Sequence, residues 1–185
     1  LAIKKTKSKA WYTIVLPEIF GSREMGKTTA ADPARLKGRR VVASAVEVTN
    51  NFNKYYMKFK FRINELQNDR ALAEFDGSEC MRDYISRMVL RYVRRIDSVQ
   101  DLETKDGVKL RVKTLAIASK KMKSNIVKMV RRRIQELMAD EIKKSTLGDF
   151  IESMIDDRSK NRVLNEIRRI YPVRNFEIRK TEVLR

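Results

Sequence analysis

Gly21, Gly26, Lys27 and Thr28 stand at the spacing G-x-x-x-x-G-K-[ST] within the stretch GSREMGKT. In a phosphate-binding loop of that pattern, backbone N–H groups cradle phosphate oxygens, the lysine reaches the β- and γ-phosphates and the threonine hydroxyl binds Mg²⁺. The chemistry needs a strand before the loop and a helix after it, so that the helix N-terminus faces the anion. WYTIVL supplies the strand, but TTAADPARLKGRR carries Pro33 and Gly38 and develops no apolar stripe. No helix is therefore expected after Thr28, and the segment reads as a loop or short edge strand. A second strand ending in a Mg²⁺-binding aspartate is missing too. Nucleotide binding through Lys27 and Thr28 stays open as an alternative, with half of its structural context absent.

Other chemistries are narrower still. The chain has no histidine and one cysteine, Cys80, which excludes Ser-His-Asp and Cys-His catalysis, an intramolecular disulfide and a cysteine-rich zinc site. Cys80 reads as a small buried residue on a helix, and a reducing, cytoplasmic compartment fits. The carboxylate pairs Asp140/Glu141 and Asp156/Asp157 lie in helical stretches among many cations and read as surface charge. The expectation is a protein that is not an enzyme and uses neither cofactor nor metal.

Charge points elsewhere. Among 185 residues, 42 Lys and Arg face 24 Asp and Glu, a formal net charge of +18. Such an excess costs self-repulsion in the compact state and calls for a polyanionic partner, with nucleic acid ahead of a membrane surface. No apolar run approaches the ~18 residues of a spanning helix. The lead-in LAIKKTKSKA is too basic and too weakly apolar for a signal peptide and reads as a basic arm carrying Lys4, Lys5, Lys7 and Lys9. From Gly107 to Gln135 there is no acid, while Lys109, Arg111, Lys113, Lys120, Lys121, Lys123, Lys128, Arg131, Arg132 and Arg133 all fall there. A solvated, salt-bridged face would interleave acids, so this stretch is expected to contact phosphates. Arg39, Arg40, Lys58, Lys60 and Arg62 complete the candidate RNA-binding set, and Trp11, Tyr12, Tyr55 and Tyr56 are candidates for stacking on unpaired bases.

The elements that must position these residues follow from periodicity. WYTIVL and residues 41–49 favour strands. YYMKFKFRINEL alternates Met57, Phe59, Phe61 and Ile63 with Lys58, Lys60 and Arg62, which puts one basic face on a strand. QND then reads as a turn into a returning strand that ends at DGS. Residues 79–92 read as a helix with Ser78 as cap and a stripe of Met81, Tyr84, Ile85, Met88 and Tyr92. A hairpin turns at Asp106-Gly107, and its second strand alternates Val108, Leu110 and Val112 with Lys109, Arg111 and Lys113. A long helix carries Ile126, Val130, Ile134, Leu137 or Met138, and Ile142, with Ser124 or Asn125 as cap. Gly148 breaks the pattern, two shorter helices follow, Pro172 ends them, and VRNFEIRKTEVL is a last strand. The fold class is α+β: an antiparallel, barrel-like β core flanked by helices, with residues 1–10 a basic N-terminal arm and 11–185 a single nucleic-acid-binding domain.

In order and spacing, several pieces resemble one family nearly end to end. They are WYTIVLPEIFG with MGKT close behind, DP and LKGR, YMKFKF, FDG leading into MRDYISRMV, ETKDGVKLRV, IVKMVRRRIQELM and IYPVRNFEIRK. The chain resembles the small-subunit ribosomal protein family shared by archaea and eukaryotes, S-three-A-e or eukaryotic-type S-one, and its compact length looks like the archaeal form. The resemblance implies a cytoplasmic structural constituent of the small ribosomal subunit, on the platform near the mRNA exit. The implied partners are small-subunit rRNA, neighbouring ribosomal proteins and mRNA near the exit, with no membrane. In that family the GKT stretch is not a nucleotide site. The rival to a ribosomal component is a free-standing nucleic-acid-binding regulator.

Overall fold

A computed structural model describes residues 8–185. Among these residues the order is β1 (Ala10–Val15), β2 (Glu24–Ala30), β3 (Arg40–Ser44), α1 (Ala45–Thr49), β4 (Met57–Gln67), β5 (Arg70–Cys80), α2 (Arg82–Met88), β6 (Arg94–Glu103), β7 (Lys109–Ala118), α3 (Ser124–Lys144), α4 (Leu147–Ile155), α5 (Arg158–Arg168) and β8 (Val173–Leu184). Two compact units share them, one up to Asp76 and one from Gly77 to Arg185, with β5 passing from the first into the second. The α+β class holds. The antiparallel, barrel-like core holds only in part: most ladders are antiparallel, but the sheet is open, and β1 pairs with β5 in parallel at Thr13–Arg70, Ile14–Ala71 and Val15–Leu72.

In the first unit the ladders run β2–β1–β5–β4–β3 and stop at β2 and β3. β4 forms as its period of two requires. Met57, Phe59, Phe61 and Ile63 are at most 3% exposed, and Lys58, Lys60 and Arg62 take the opposite face. Pro17 ends β1 and opens a 3-10 turn, Glu18–Phe20, that delivers Phe20 into the core. There Phe20 meets Phe59 at 5.2 Å and Phe61 edge-on at 5.3 Å between ring centroids. Each such ring contributes about 1.5–3 kcal/mol by burial. Residues 41–49 are not one strand. Ser44 and Glu47 form a reciprocal capping box, with the Ser44 N–H donating to Glu47 Oε2 at 3.2 Å, and this local pairing starts α1 despite the β-branched Val46 and Val48.

In the second unit the ladders run β5–β8–β7–β6, with α3 against β6 and α5 against β8. The expected end of β5 at DGS is corrected: the strand continues to Cys80 because Gly77 pairs with Glu182, and Ser78 with Thr181. Ser78 is therefore not a helix cap. It is buried, and its N–H donates to Thr181 Oγ1 at 2.9 Å. Cys80 is buried as expected but on this strand rather than a helix, and its Sγ–H donates to the Ile178 carbonyl at 3.3 Å. α2 covers only Arg82–Met88, and Tyr92 lies beyond it, 75% exposed with φ 66°. Tyr84 of α2 donates to Glu177 Oε1 of β8 at 3.0 Å, and Lys160 Nζ of α5 reaches the same oxygen at 2.5 Å. Burial pushes the Glu177 carboxyl up, against the pull of these two donors.

α3 buries Val127, Val130, Ile134, Leu137, Met138 and Ile142, so Val127 takes the place expected of Ile126. Its N-cap is Lys123, without a side-chain cap bond. The break before α4 lies at Ser145–Thr146 and not at Gly148, which is helical. Thr146 and Asp149 cap each other, each backbone N–H donating to the other's side chain at 3.2 Å. Glu141 is not simple surface charge either: its Oε1 accepts from Ser153 Oγ and Ser159 Oγ, tying α3 to α4 and α5.

Candidate nucleic-acid interface

GSREMGKT ends on a strand. Lys27 sits opposite Thr13 and Gly26 opposite Ile14 in the β1–β2 ladder, and the chain stays extended to Ala30. Backbone N–H groups in a ladder cannot wrap a phosphate, and the loop runs into strand rather than into the N-terminus of an α-helix. The Thr28 hydroxyl that would hold Mg²⁺ accepts instead from Arg39 Nη1 at 2.6 Å, and the same nitrogen donates to the Thr29 carbonyl at 3.1 Å. Arg39, a candidate for RNA, thus has one guanidinium nitrogen already engaged by β2.

In the first unit β3 and β4 build one outward face. Arg40 pairs with Arg62, Val42 with Lys60 and Ser44 with Lys58, above the buried Ala43, Phe59 and Phe61. Like charges directly opposite on a ladder destabilise it. One of them is offset: Arg40 Nε lies 2.9 Å from Oδ2 of Asp76, itself 8% exposed. Lys58, Lys60 and Arg62 repeat every second residue, about 6.5–7 Å apart along the strand. Lys9, ahead of β1, is exposed, whereas Lys4, Lys5 and Lys7 lie outside the described residues.

In the second unit the β7 row is a different kind of face. Lys109, Arg111 and Lys113 point away from the core, but neighbouring strands bring acids to them. Asp101 of β6 takes Arg111 in a two-pronged pair at 2.7 and 2.8 Å. Glu182 of β8 takes Lys113 at 2.9 Å and Lys180 at 2.6 Å, and Glu103 lies opposite Lys109 in register. The β7 part of the acid-free run is therefore salt-bridged in space at Arg111 and Lys113. The Arg111 guanidinium holds the Asp101 carboxyl below its usual range, and Lys180, with Lys113 adding to it, lowers Glu182 to about 2.

A consequence follows for acid stability. A carboxylate whose folded pKa is depressed stabilises the fold above its unfolded value and loses that contribution as pH falls through the folded one. Glu182 should therefore lose its share between about pH 4.5 and 2, on the order of 1 kcal/mol after solvent screening. Urea unfolding of Glu182→Gln across pH 7 to 2 should show a shallower loss than the parent chain. Parallel curves would mean these ion pairs contribute nothing.

Several cations without a carboxylate lie where loops of this unit meet. Lys120, Lys121 and Lys123, between β7 and α3, are exposed and form no ion pair among the described residues. Three loops meet there. Lys121 Nζ lies 5.7 Å from the centroid of the Tyr92 ring, Tyr171 donates to the Lys121 carbonyl at 3.0 Å, and the Ser119 N–H to that of Pro172 at 3.2 Å. On α3, Lys128 is exposed, and Arg131 donates through Nε to the neutral carbonyl of Asp97 at 3.0 Å, so no acid matches its charge. Arg132 pairs only with Glu136 one turn along, at 3.0 Å, with its own side chain 84% exposed. Such pairs are worth about 0–0.5 kcal/mol and yield readily to a phosphate. Arg133 is the most committed, held by Glu166 of α5 at 3.1 Å, which raises its guanidinium further.

The ribosomal S3Ae family profile matches residues 2–185. The chain belongs to the ribosomal S3Ae family. It is 35% identical over 184 residues to the small ribosomal subunit protein eS1 of Methanopyrus kandleri, covering 97% of this chain and 87% of that protein. With the protein of the same name from Methanothermobacter thermautotrophicus it shares 35% over 178 residues, 96% of this chain and 91% of that one. With that of Saccharolobus islandicus it shares 34% over 181 residues, 98% and 87%.

Within this S3Ae chain the structure adds residues that the sequence reading passed over. Arg91 and Arg94 flank Tyr92, and Arg174 stands at the start of β8, all exposed beside the lysine loop. Arg168 caps the carbonyls of Val173 and Arg174 there. Their signal was weak because each sits in a short flank, yet LRYVRR and RRIYPVR are as free of acid as the run that was noticed. Of the four aromatic candidates, Trp11 and Tyr55 are 65% and 55% exposed, while Tyr12 and Tyr56 are buried and cannot stack on a base. Among the described residues no helix is long and apolar enough to cross a membrane.

Proposed function

We propose that this S3Ae protein is a structural constituent of the small ribosomal subunit that binds rRNA by charge neutralisation and carries out no chemical step. The observation that carries the reading is the division of its cations: acids from neighbouring strands pair with Arg111 and Lys113 of β7, whereas Lys120, Lys121, Lys123, Lys128 and Arg131 face solvent with no carboxylate among the described residues. Unmatched Lys and Arg release condensed counterions from phosphates on binding, which supplies affinity without reading sequence. The outward face of β3–β4, with Lys58, Lys60 and Arg62, is a second phosphate track, and the arm with Lys4, Lys5, Lys7 and Lys9 a third. Position on the platform near the mRNA exit, contacts with neighbouring ribosomal proteins and passage of mRNA close by accord with the family resemblance. Exposed Phe52 and Tyr55 suit a protein neighbour.

The test is sedimentation of the protein in a cell lysate, at low and then at raised salt. It should travel stoichiometrically with small subunits, and Arg131→Glu combined with Arg132→Glu should release it at lower salt. Migration as a free species would overturn the reading in favour of a free-standing regulator.

A further inference from the structure

We propose that a cavity in the second unit, between α2 and the charged face of the sheet, is a pocket for a single nucleotide extruded from the bound RNA. The proposal rests on the RNA-binding reading and names a site within it. The cavity holds about 400 Å³. That is near the small end of the roughly 300–1,000 Å³ typical of small-molecule sites, enough for one nucleotide and too little for a helical segment.

Two independent features of the fold build it. The first is a β-bulge. Lys113 of β7 pairs with Lys180 and Thr114 with Ile178, so Arg179 is the extra residue on β8. A bulge re-aims the side chain it carries, and here Ile178 and Thr181 stay buried while Arg179 and Lys180, consecutive in sequence, both line the cavity. The second is α2. It buries none of its residues fully, and the Tyr84–Glu177 hydrogen bond holds it to β8. At positions i, i+3 and i+4 it turns Arg82, Ile85 and Ser86 toward the space beneath.

The walls divide by chemistry. Cys80 and Ile85 supply an apolar surface for a base. Arg95, Lys113 and Lys180 also line the cavity, but each already has a carboxylate: Asp97 takes Arg95 through two hydrogen bonds, and Glu182 takes both lysines. Arg82 and Arg179 have no such partner among the described residues. Two guanidinium groups, one from a helix and one from a bulge, thus converge unmatched on one space. Forked donors of this kind recognise phosphate. Glu79 also lines the cavity.

The purified full chain should be titrated with uridine 5′-monophosphate, uridine and inorganic phosphate, following amide signals of Ile85, Ser86 and Arg179 by NMR. The nucleotide should bind saturably, and uridine or phosphate alone about tenfold more weakly or worse, because only the nucleotide fills both walls. Arg82→Gln with Arg179→Gln should weaken the nucleotide at least about tenfold, and Ser86→Trp should block it by bulk without a change of charge. Phosphate binding as tight as the nucleotide, or a nucleotide response untouched by these variants, would overturn the pocket, as would no saturable response. rRNA binding measured in parallel separates the two readings. Affinity for rRNA with no nucleotide response sinks the pocket alone, whereas loss of all rRNA binding sinks the broader reading and leaves the titration to decide the pocket.

Discussion

Lys120→Glu, Lys121→Glu and Lys123→Glu together should lower affinity for small-subunit rRNA by about a hundred- to a thousandfold near 0.15 M salt and leave the urea midpoint unchanged. All three lie in an exposed loop with no carboxylate to lose, so their reversal costs the fold little. Each phosphate contact removed should also take close to one unit from the slope of log affinity against log salt, so the slope should fall by about two to three. Lys109→Glu with Arg111→Glu is the contrasting variant. It reverses the same kind of charge on the same acid-free stretch, but it strands Asp101, which Arg111 now holds at 2.7 Å. There the urea midpoint should fall and rRNA affinity should change much less. Filter binding across a salt series, beside urea unfolding, reads both variants. Equal effects on rRNA would mean that ion pairing within the protein does not sort its cations.

Gly77→Ala should be the most damaging small substitution in the second unit, destabilising by about 2–4 kcal/mol. A Cβ built at Gly77 falls 2.2 Å from the Thr181 carbonyl oxygen, and both strands are held there by the Gly77–Glu182 and Ser78–Thr181 pairs. The obstacle is backbone, so no side chain can swing aside. Gly26→Ala is the control. It shares a positive φ, at +157° against +151°, but its Cβ would meet nothing within 4 Å. Strain alone should cost about 1 kcal/mol there. The difference in urea midpoint between the two variants measures the clash, and equal midpoints would show that β5 and β8 separate freely. Gly26→Ala also bears on the phosphate-loop pattern, since a glycine required for anion binding would not tolerate the methyl group.

The alternation in MKFKFRI, the Asp106-Gly107 turn and the stripe from Val130 to Ile142 were legible without a structure, because each is a pattern within one element. A strand or helix that buries one face must write its period of two or 3.6 into consecutive residues. Net charge was legible for the same reason: +18 is a sum and needs no geometry. End-to-end order of motifs carried the family likeness as well. Element boundaries failed where a nearby side chain outweighed propensity, as Glu47 did by capping α1 and Asp149 by capping α4.

The candidate site was legible as charge but not as pairing. Residues 107–135 look like an uninterrupted phosphate-binding surface, yet Asp101 and Glu182, outside that stretch, come to lie against Arg111, Lys113 and Lys180. Arg39 is turned toward Thr28 by the fold, and Arg82 and Arg179 face one cavity only because a bulge adds a residue to β8. Sequence alone determined that this protein is strongly basic, mixed in its secondary structure and of the S3Ae kind. Which cations remain without an acidic partner was decided by tertiary structure, because neutralisation depends on distance in space and strand pairing brings together charges that the chain keeps far apart.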